Sequence, residues 1–163
     1  MKLARVPELI AELKTELESL RRIKNSIQAT VKNVPAVDRE NVFTESLALK
    51  LHNFYTGCER VFAFIAGDLN GELPSNAAWH SRLLHAMTLE VEGVRPSVVS
   101  KATARRLHEF LLFRHVVRNV YGFDLDLGRM EYLIKNVDAA YSAFEADVKE
   151  FTCFLESLMK EGD

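Results

Sequence analysis

The chain has 163 residues, of which 48% are hydrophobic and 27% are charged, as in an ordinary globular protein with one domain. Its formal net charge of −2 excludes binding to nucleic acid through a basic overall field, so any phosphate contact must depend on a local cluster of cations. No apolar run reaches the roughly 18 residues that a membrane helix needs, and the early acidic residues do not fit a signal peptide. We therefore expect one cytoplasmic domain over residues 1–163, without a membrane contact.

Helical spacing of apolar residues continues along nearly the whole chain. Leucine and isoleucine recur every three or four positions, while charged residues fill the positions between them. Asp38 and either Ser97 or Ser100 fit helix N-caps, and Pro35 fits the end of a helix. The pattern predicts four long helices and one short helix, over about residues 7–32, 38–68, 77–89, 97–121 and 129–160. Short connections between them favour an all-α, up-and-down antiparallel bundle.

The cysteines and histidines give no pattern of a metal site. Cys58 and Cys153 both lie in apolar helical stretches, so we expect two buried free thiols, although a disulfide between them stays open. The histidines are not spaced like the i, i+4 pair that binds zinc on one helix face. This applies to His80, His85, His108 and His115. We expect neither a metal nor another cofactor.

The segment FLLFRHVVRNVYGFDLD, residues 110–126, places charged and polar groups in an otherwise apolar helix. Helical geometry puts Arg114, Arg118 and Tyr121 on one face, with His115 and Asn119 as a neighbouring i, i+4 pair. Two guanidiniums on one face could bind a phosphate, and His115 could act as a general acid–base. The alternative is structural: the arginines pair with acidic residues of a facing helix, and His115 is a core histidine.

The same segment resembles the Arg-x4-His-x-Tyr motif of HepT-like HEPN ribonuclease toxins, with Arg114 and Tyr121 at the motif's first and last positions. Two upstream segments also resemble these proteins: LHNFYTGCERVF, residues 51–62, and AAWHSRLLHAMTLEVEGVRPSVVS, residues 77–100. The resemblance covers about residues 45–135. The three segments together are a more specific signal than an Arg-x4-His pattern alone, which is weak by itself.

The resemblance implies a HEPN-like helical fold and a symmetric homodimer that cleaves RNA without metal, as the toxin of a toxin–antitoxin pair. It also implies that an MNT-type nucleotidyltransferase antitoxin neutralises the toxin, in some pairs by transferring AMP to the motif tyrosine, here Tyr121. A dimer agrees with helical geometry, since positions 114 and 119 lie about 140° apart on one helix. Two helices that meet at a two-fold axis could direct both groups at one phosphate.

One position departs from the motif, because Asn119 stands where the family has histidine, and asparagine cannot act as a general base. Three interpretations stay open. His115 takes the role of the motif histidine, or Asn119 positions RNA while another group assists attack by the RNA 2′-hydroxyl. In the third, the chain is weakly active or inactive. We predict catalytic roles for Arg114, Asn119 and His115, and RNA binding by Arg114 and Arg118. The alternatives are a helical dimer that binds RNA, a nucleotide or its partner enzyme without cleavage, and a scaffold whose arginines pair across the dimer.

Overall fold

The computed structural model describes residues 3–33, 42–70, 78–119 and 127–161, and these are almost entirely helical. The predicted four long helices and one short helix are confirmed. They are α1 (Val6–Asn33), α2 (Val42–Ile65), α3 (Trp79–Met87), α4 (Lys101–Asn119) and α5 (Leu127–Glu161). A short 3-10 turn precedes α1, and a π-helical turn, Ala66–Asn70, extends α2. The predicted signals at Pro35, Asp38 and Tyr121 lie outside the described residues.

Helix α2 is the centre of the fold and contacts each of the other four helices. It can do so because its buried stripe is wide: Ala48 and Val61, at the two sides of this stripe, lie about 140° apart around the helix. Leu51, Phe54 and Phe62 lie between them and are fully buried. A stripe of this width is stable only when several neighbours cover it. The amphipathic helix α1 packs one buried stripe against α2 and α5, and keeps its charged residues outside.

The contact between α1 and α2 is close at Gly57. A Cβ atom added at Gly57 would lie 2.7 Å from Cδ2 of Leu20, which is fully buried on α1. Interiors are packed densely enough that even one extra methyl group must displace a neighbour. Glycine at this position therefore lets the two helices approach each other.

The connection between α3 and α4 is held by Arg95, which is 3% exposed. Its guanidinium donates hydrogen bonds to the carbonyl oxygens of Ala86, Leu89 and Pro96, over 3.0–3.1 Å. Two of these carbonyl groups, those of Ala86 and Leu89, lie in or just after the last turn of α3, where carbonyl groups lack partners inside the helix. The connection is therefore fixed against α3, which sets where the next helix begins.

Helix α4 begins after Ser100, one of the two serines predicted as its N-cap. The Ser100 hydroxyl accepts a hydrogen bond of 3.1 Å from the backbone N–H of Thr103, as an N-cap does. The backbone N–H of Ser100 donates to the carboxylate of Asp147 on α5, over 2.8 Å. The start of α4 is thus attached to α5.

The two cysteines have different environments, and the prediction that both are buried was wrong for one of them. Both thiols are free, but Cys58 is buried whereas Cys153 is exposed. Position 153 lies about 200° around α5 from Phe151, which faces the core. Burial raises the pKa of the Cys58 thiol well above its usual value.

None of the described helices is both long enough and apolar enough to cross a membrane.

Candidate functional site

The last turns of α4 carry four of the five residues predicted to form the site. Arg114 points into the protein and is 6% exposed, whereas His115, Arg118 and Asn119 are exposed. Helical periodicity explains the difference, because Phe110 and Arg114 are one turn apart on the buried side. In the single chain, Arg114 and Arg118 therefore do not share an exposed surface on which both could bind one phosphate.

Arg114 belongs to a buried cluster with Glu59 of α2 and His80 of α3. Nη1 of Arg114 lies 3.1 Å from Nε2 of His80, and Nη2 lies 3.6 Å from Oε1 of Glu59. Nδ1 of His80 lies 2.5 Å from Oε2 of Glu59. The exposed fractions are 6% for Glu59 and 8% for His80. Three helices therefore place one carboxylate, one imidazole and one guanidinium together inside the protein.

The hydrogen bonds determine the form of the His80 ring. Arginine has only donors, so Nε2 of His80 must accept the bond from Arg114. The proton of the neutral ring is then on Nδ1, which donates to the carboxylate of Glu59. The cluster has one negative and one positive charge, and each is compensated by the other.

Two polar groups near this cluster are buried without a hydrogen-bond partner among the described residues, Nε of Arg114 and the hydroxyl of Tyr55. Tyr55 lies one turn before Glu59 on α2, and burial raises its pKa well above the usual value. The Nε–H group of Arg114 is thus a donor that neither Glu59 nor His80 uses. Such orphaned groups are uncommon in native proteins and often occur at functional sites.

His115 lies above the cluster at the protein surface. Its ring contacts the ring of His80 edge to face, with 5.8 Å between the centroids and an interplanar angle of 74°. The ring of Trp79 covers His80 from another side, with 3.8 Å between the centroids. The pKa of His115 is lowered, chiefly by desolvation, and the positive charge of Arg114 acts in the same direction. His115 is therefore neutral at pH 7 and able to accept a proton.

The remaining predicted residues are at the end of α4. Arg118 is exposed one turn after His115, so the guanidinium is available to a ligand next to the imidazole. The Asn119 amide donates a hydrogen bond of 2.7 Å to the backbone carbonyl of His115. Tyr121 lies outside the described residues. The structure thus brings His115, Arg118 and Asn119 together on the surface, with Arg114 beneath them.

Sequence reasoning missed Glu59 as a site residue and considered His80 in excluding a metal site, not as a residue of this site. The signal for Glu59 was present, since it stands in the apolar run YTGCERVF one turn after Tyr55. A carboxylate on the inner side of a helix requires a partner. The partner itself could not be identified from the sequence, because the order in which α2, α3 and α4 pack is a property of the whole fold.

The described residues contain no group of three or more histidine, cysteine, aspartate or glutamate side chains that could hold a metal ion.

A family model with the description HepT-like protein matches residues 46–155. The chain belongs to this HepT-like family of HEPN-domain proteins. The matched part covers about two thirds of the chain and includes α3, α4 and most of α2 and α5, hence every residue of the site described above. No curated protein and no solved structure matches this HepT-like chain, so the assignment depends on the family model.

Proposed function

We propose that this HepT-like protein is the toxin of a toxin–antitoxin pair and cleaves RNA without a metal ion. The observation that carries the proposal is His115, an exposed imidazole with a lowered pKa next to the exposed guanidinium of Arg118. A neutral imidazole beside a cation is suited to take a proton from a hydroxyl near a phosphate. The family match supports the proposal because it includes both residues.

In the proposed reaction, His115 takes the proton of an RNA 2′-hydroxyl, and the resulting oxygen attacks the adjacent phosphorus. The bond from phosphorus to the 5′-oxygen breaks, which leaves a 2′,3′-cyclic phosphate, and the 5′-oxygen takes a proton from water. Arg118 binds the phosphate by charge-assisted hydrogen bonds, while Arg114 adds positive charge from beneath. Asn119 contacts RNA through its amide oxygen, since its amide N–H is bonded to the helix. DNA lacks the attacking hydroxyl and is not cut.

We propose further that the site is formed by two copies of the chain. Leu112 is 38% exposed on α4, one turn before His115, which makes this side of the helix partly apolar at the surface. Interfaces between subunits combine an apolar centre with polar residues at the rim. With the two copies related by a two-fold axis, both His115 rings face one cleft.

The proposed partner is an MNT-type nucleotidyltransferase that neutralises the toxin, by transferring AMP from ATP to the hydroxyl of Tyr121 with release of pyrophosphate. An adenylyl group two positions after Asn119 adds negative charge close to Arg118 and competes with RNA for it. Mass spectrometry of the chain after co-expression tests this step. One added adenylyl group that is lost in Tyr121→Phe supports it, and an unmodified Tyr121 contradicts it.

A non-catalytic binding protein is the second candidate function. The observation in its favour is that Asn119, at the motif's histidine position, uses its amide to bond its own helix. Arg114, moreover, is paired inside the chain with Glu59 and does not face outward. Such a dimer would bind RNA or its partner enzyme through Arg118 and leave the RNA intact.

Expression of the chain alone in bacteria tests whether it is a toxin. We expect growth arrest with the natural chain and normal growth with His115→Ala or Arg118→Ala. Both side chains are exposed, so neither substitution disturbs the core. His108→Ala, an exposed histidine two turns earlier on α4, is the matched control and should still arrest growth. Normal growth with the natural chain would contradict the proposal, as would arrest by His115→Ala equal to that by the control.

A further inference from the structure

We propose that Glu59 and His80 are positioning residues of the α4 site: they fix the guanidinium of Arg114 and support the ring of His115 through direct contact with His80. This inference rests on the proposed function only where RNA cleavage is measured. The arrangement itself is a property of the folded chain that can be measured without any substrate.

The contacts of the buried cluster run in order from α2 through α3 to α4. The carboxylate of Glu59 holds Nδ1 of His80, and Nε2 of His80 holds Nη1 of Arg114. Glu59 also reaches Nη2 of Arg114 directly, over 3.6 Å. Each group is thus located by two others, and the guanidinium is fixed in both position and plane.

The cluster is buried, since all three residues are less than one tenth exposed, and they come from three different helices. Ionised groups inside a protein are costly unless they are paired and hydrogen-bonded, and an apolar cluster would hold the helices together at least as well. The buried ionised groups of this cluster cost free energy, and they lie directly beneath exposed polar residues. We infer that the cluster helps to position those residues.

His115 is in contact with the buried cluster. It follows Arg114 in the chain, and its ring contacts the ring of His80 edge to face. Trp79 packs on His80 and limits how far that ring can move. A shift of His80 would therefore move both Arg114 and His115, and small displacements of reacting groups can lower a rate by about 100-fold.

The test has one readout without substrate. Nitrogen chemical shifts of the histidine rings, measured by NMR on the full chain, distinguish the two neutral tautomers and the charged form. We expect His80 to be neutral with the proton on Nδ1, and the removal of both partners in Glu59→Ala with Arg114→Met to abolish this fixed tautomer. His85, exposed on the same helix, is the control, and its signals should not change between the two proteins. A mixture of both tautomers for His80 in the natural chain would overturn the inference.

The second readout uses RNA cleavage and a matched pair of substitutions. His80→Gln keeps an oxygen that can accept from Arg114, whereas His80→Leu keeps the volume but offers no acceptor. We expect the leucine variant to lose about 100-fold in rate and the glutamine variant to recover most of it. Equal losses in two folded variants would overturn the inference. If the natural chain does not cleave RNA, the proposed function fails, and the tautomer of His80 alone decides the inference.

Discussion

Removing the charge of Glu59 should destabilise the protein far more than removing an exposed carboxylate. Glu59→Gln leaves the buried guanidinium of Arg114 uncompensated and turns an amide donor toward Nη2. Breaking a buried ion pair by removing one partner costs about 3–5 kcal/mol. In a chain of this size each kcal/mol lowers the melting temperature by about 2–4 °C, so we expect a decrease of about 6–20 °C.

Glu156→Gln is the matched control, because Glu156 pairs over 3.4 Å with Lys14 and both side chains are exposed. An exposed pair contributes about 0–1 kcal/mol. Urea unfolding, monitored by circular dichroism, measures the stability of both variants. A Glu59→Gln protein within about 1 kcal/mol of the Glu156→Gln protein would refute the reasoning. Adding Arg114→Met to Glu59→Gln removes both charges and should restore much of the loss.

Three other predictions concern packing, thiol accessibility and pH. Gly57→Ala brings a methyl group 2.7 Å from Leu20, whereas a methyl group at Gly67 meets nothing within 4 Å. Urea unfolding should therefore show Gly57→Ala to be less stable than Gly67→Ala by about 1–3 kcal/mol. Equal stabilities of the two variants would contradict the close packing of α1 on α2. A thiol reagent should modify one cysteine, Cys153, in the folded protein and reach Cys58 only after unfolding; two equally fast reactions would contradict this. The pKa of His115 is lowered from 6.5, and a general base acts in its unprotonated form. The rate of RNA cleavage should therefore fall only as the pH decreases below 6.5. A rate that already falls well above this pH would exclude His115 as the base.

The helices could be predicted from the sequence because their signal is local. Apolar residues at steps of three and four identify a helix and its buried side without knowledge of its neighbours. The same reasoning offered Ser97 or Ser100 as the N-cap of α4, since a capping hydroxyl acts on its own helix, and Ser100 has this role. It failed for Cys153, where an apolar neighbourhood in the sequence was taken as evidence of burial although the position faces outward.

The candidate site could be predicted only in part, because its interior depends on contacts between distant residues. The exposed residues His115, Arg118 and Asn119 follow from the local chemistry of one helix. The sequence indicated only, as one alternative, that Arg114 pairs with an acidic residue of a facing helix. Which acidic residue it is, and that His80 lies between the two, depends on how α2, α3 and α4 pack.

The pairing of Arg114 also determines which substitutions are useful tests. Arg114→Ala would leave the carboxylate of Glu59 buried without its cation, so a loss of function could reflect a loss of stability. Substitutions at the exposed residues His115 and Arg118 avoid this ambiguity, since surface changes usually alter stability by less than about 0.5 kcal/mol.

The most direct test of the central claim is RNA cleavage by the purified chain in the presence of a metal chelator. Total tRNA and mRNA are incubated with the natural chain, with His115→Ala and with Asn119→His. We predict that the natural chain cleaves RNA despite Asn119, and that His115→Ala is at least about 100-fold slower, as for loss of a general base. No cleavage by the natural chain, with activity gained in Asn119→His, would contradict the account and identify a HepT-like protein that acts by binding.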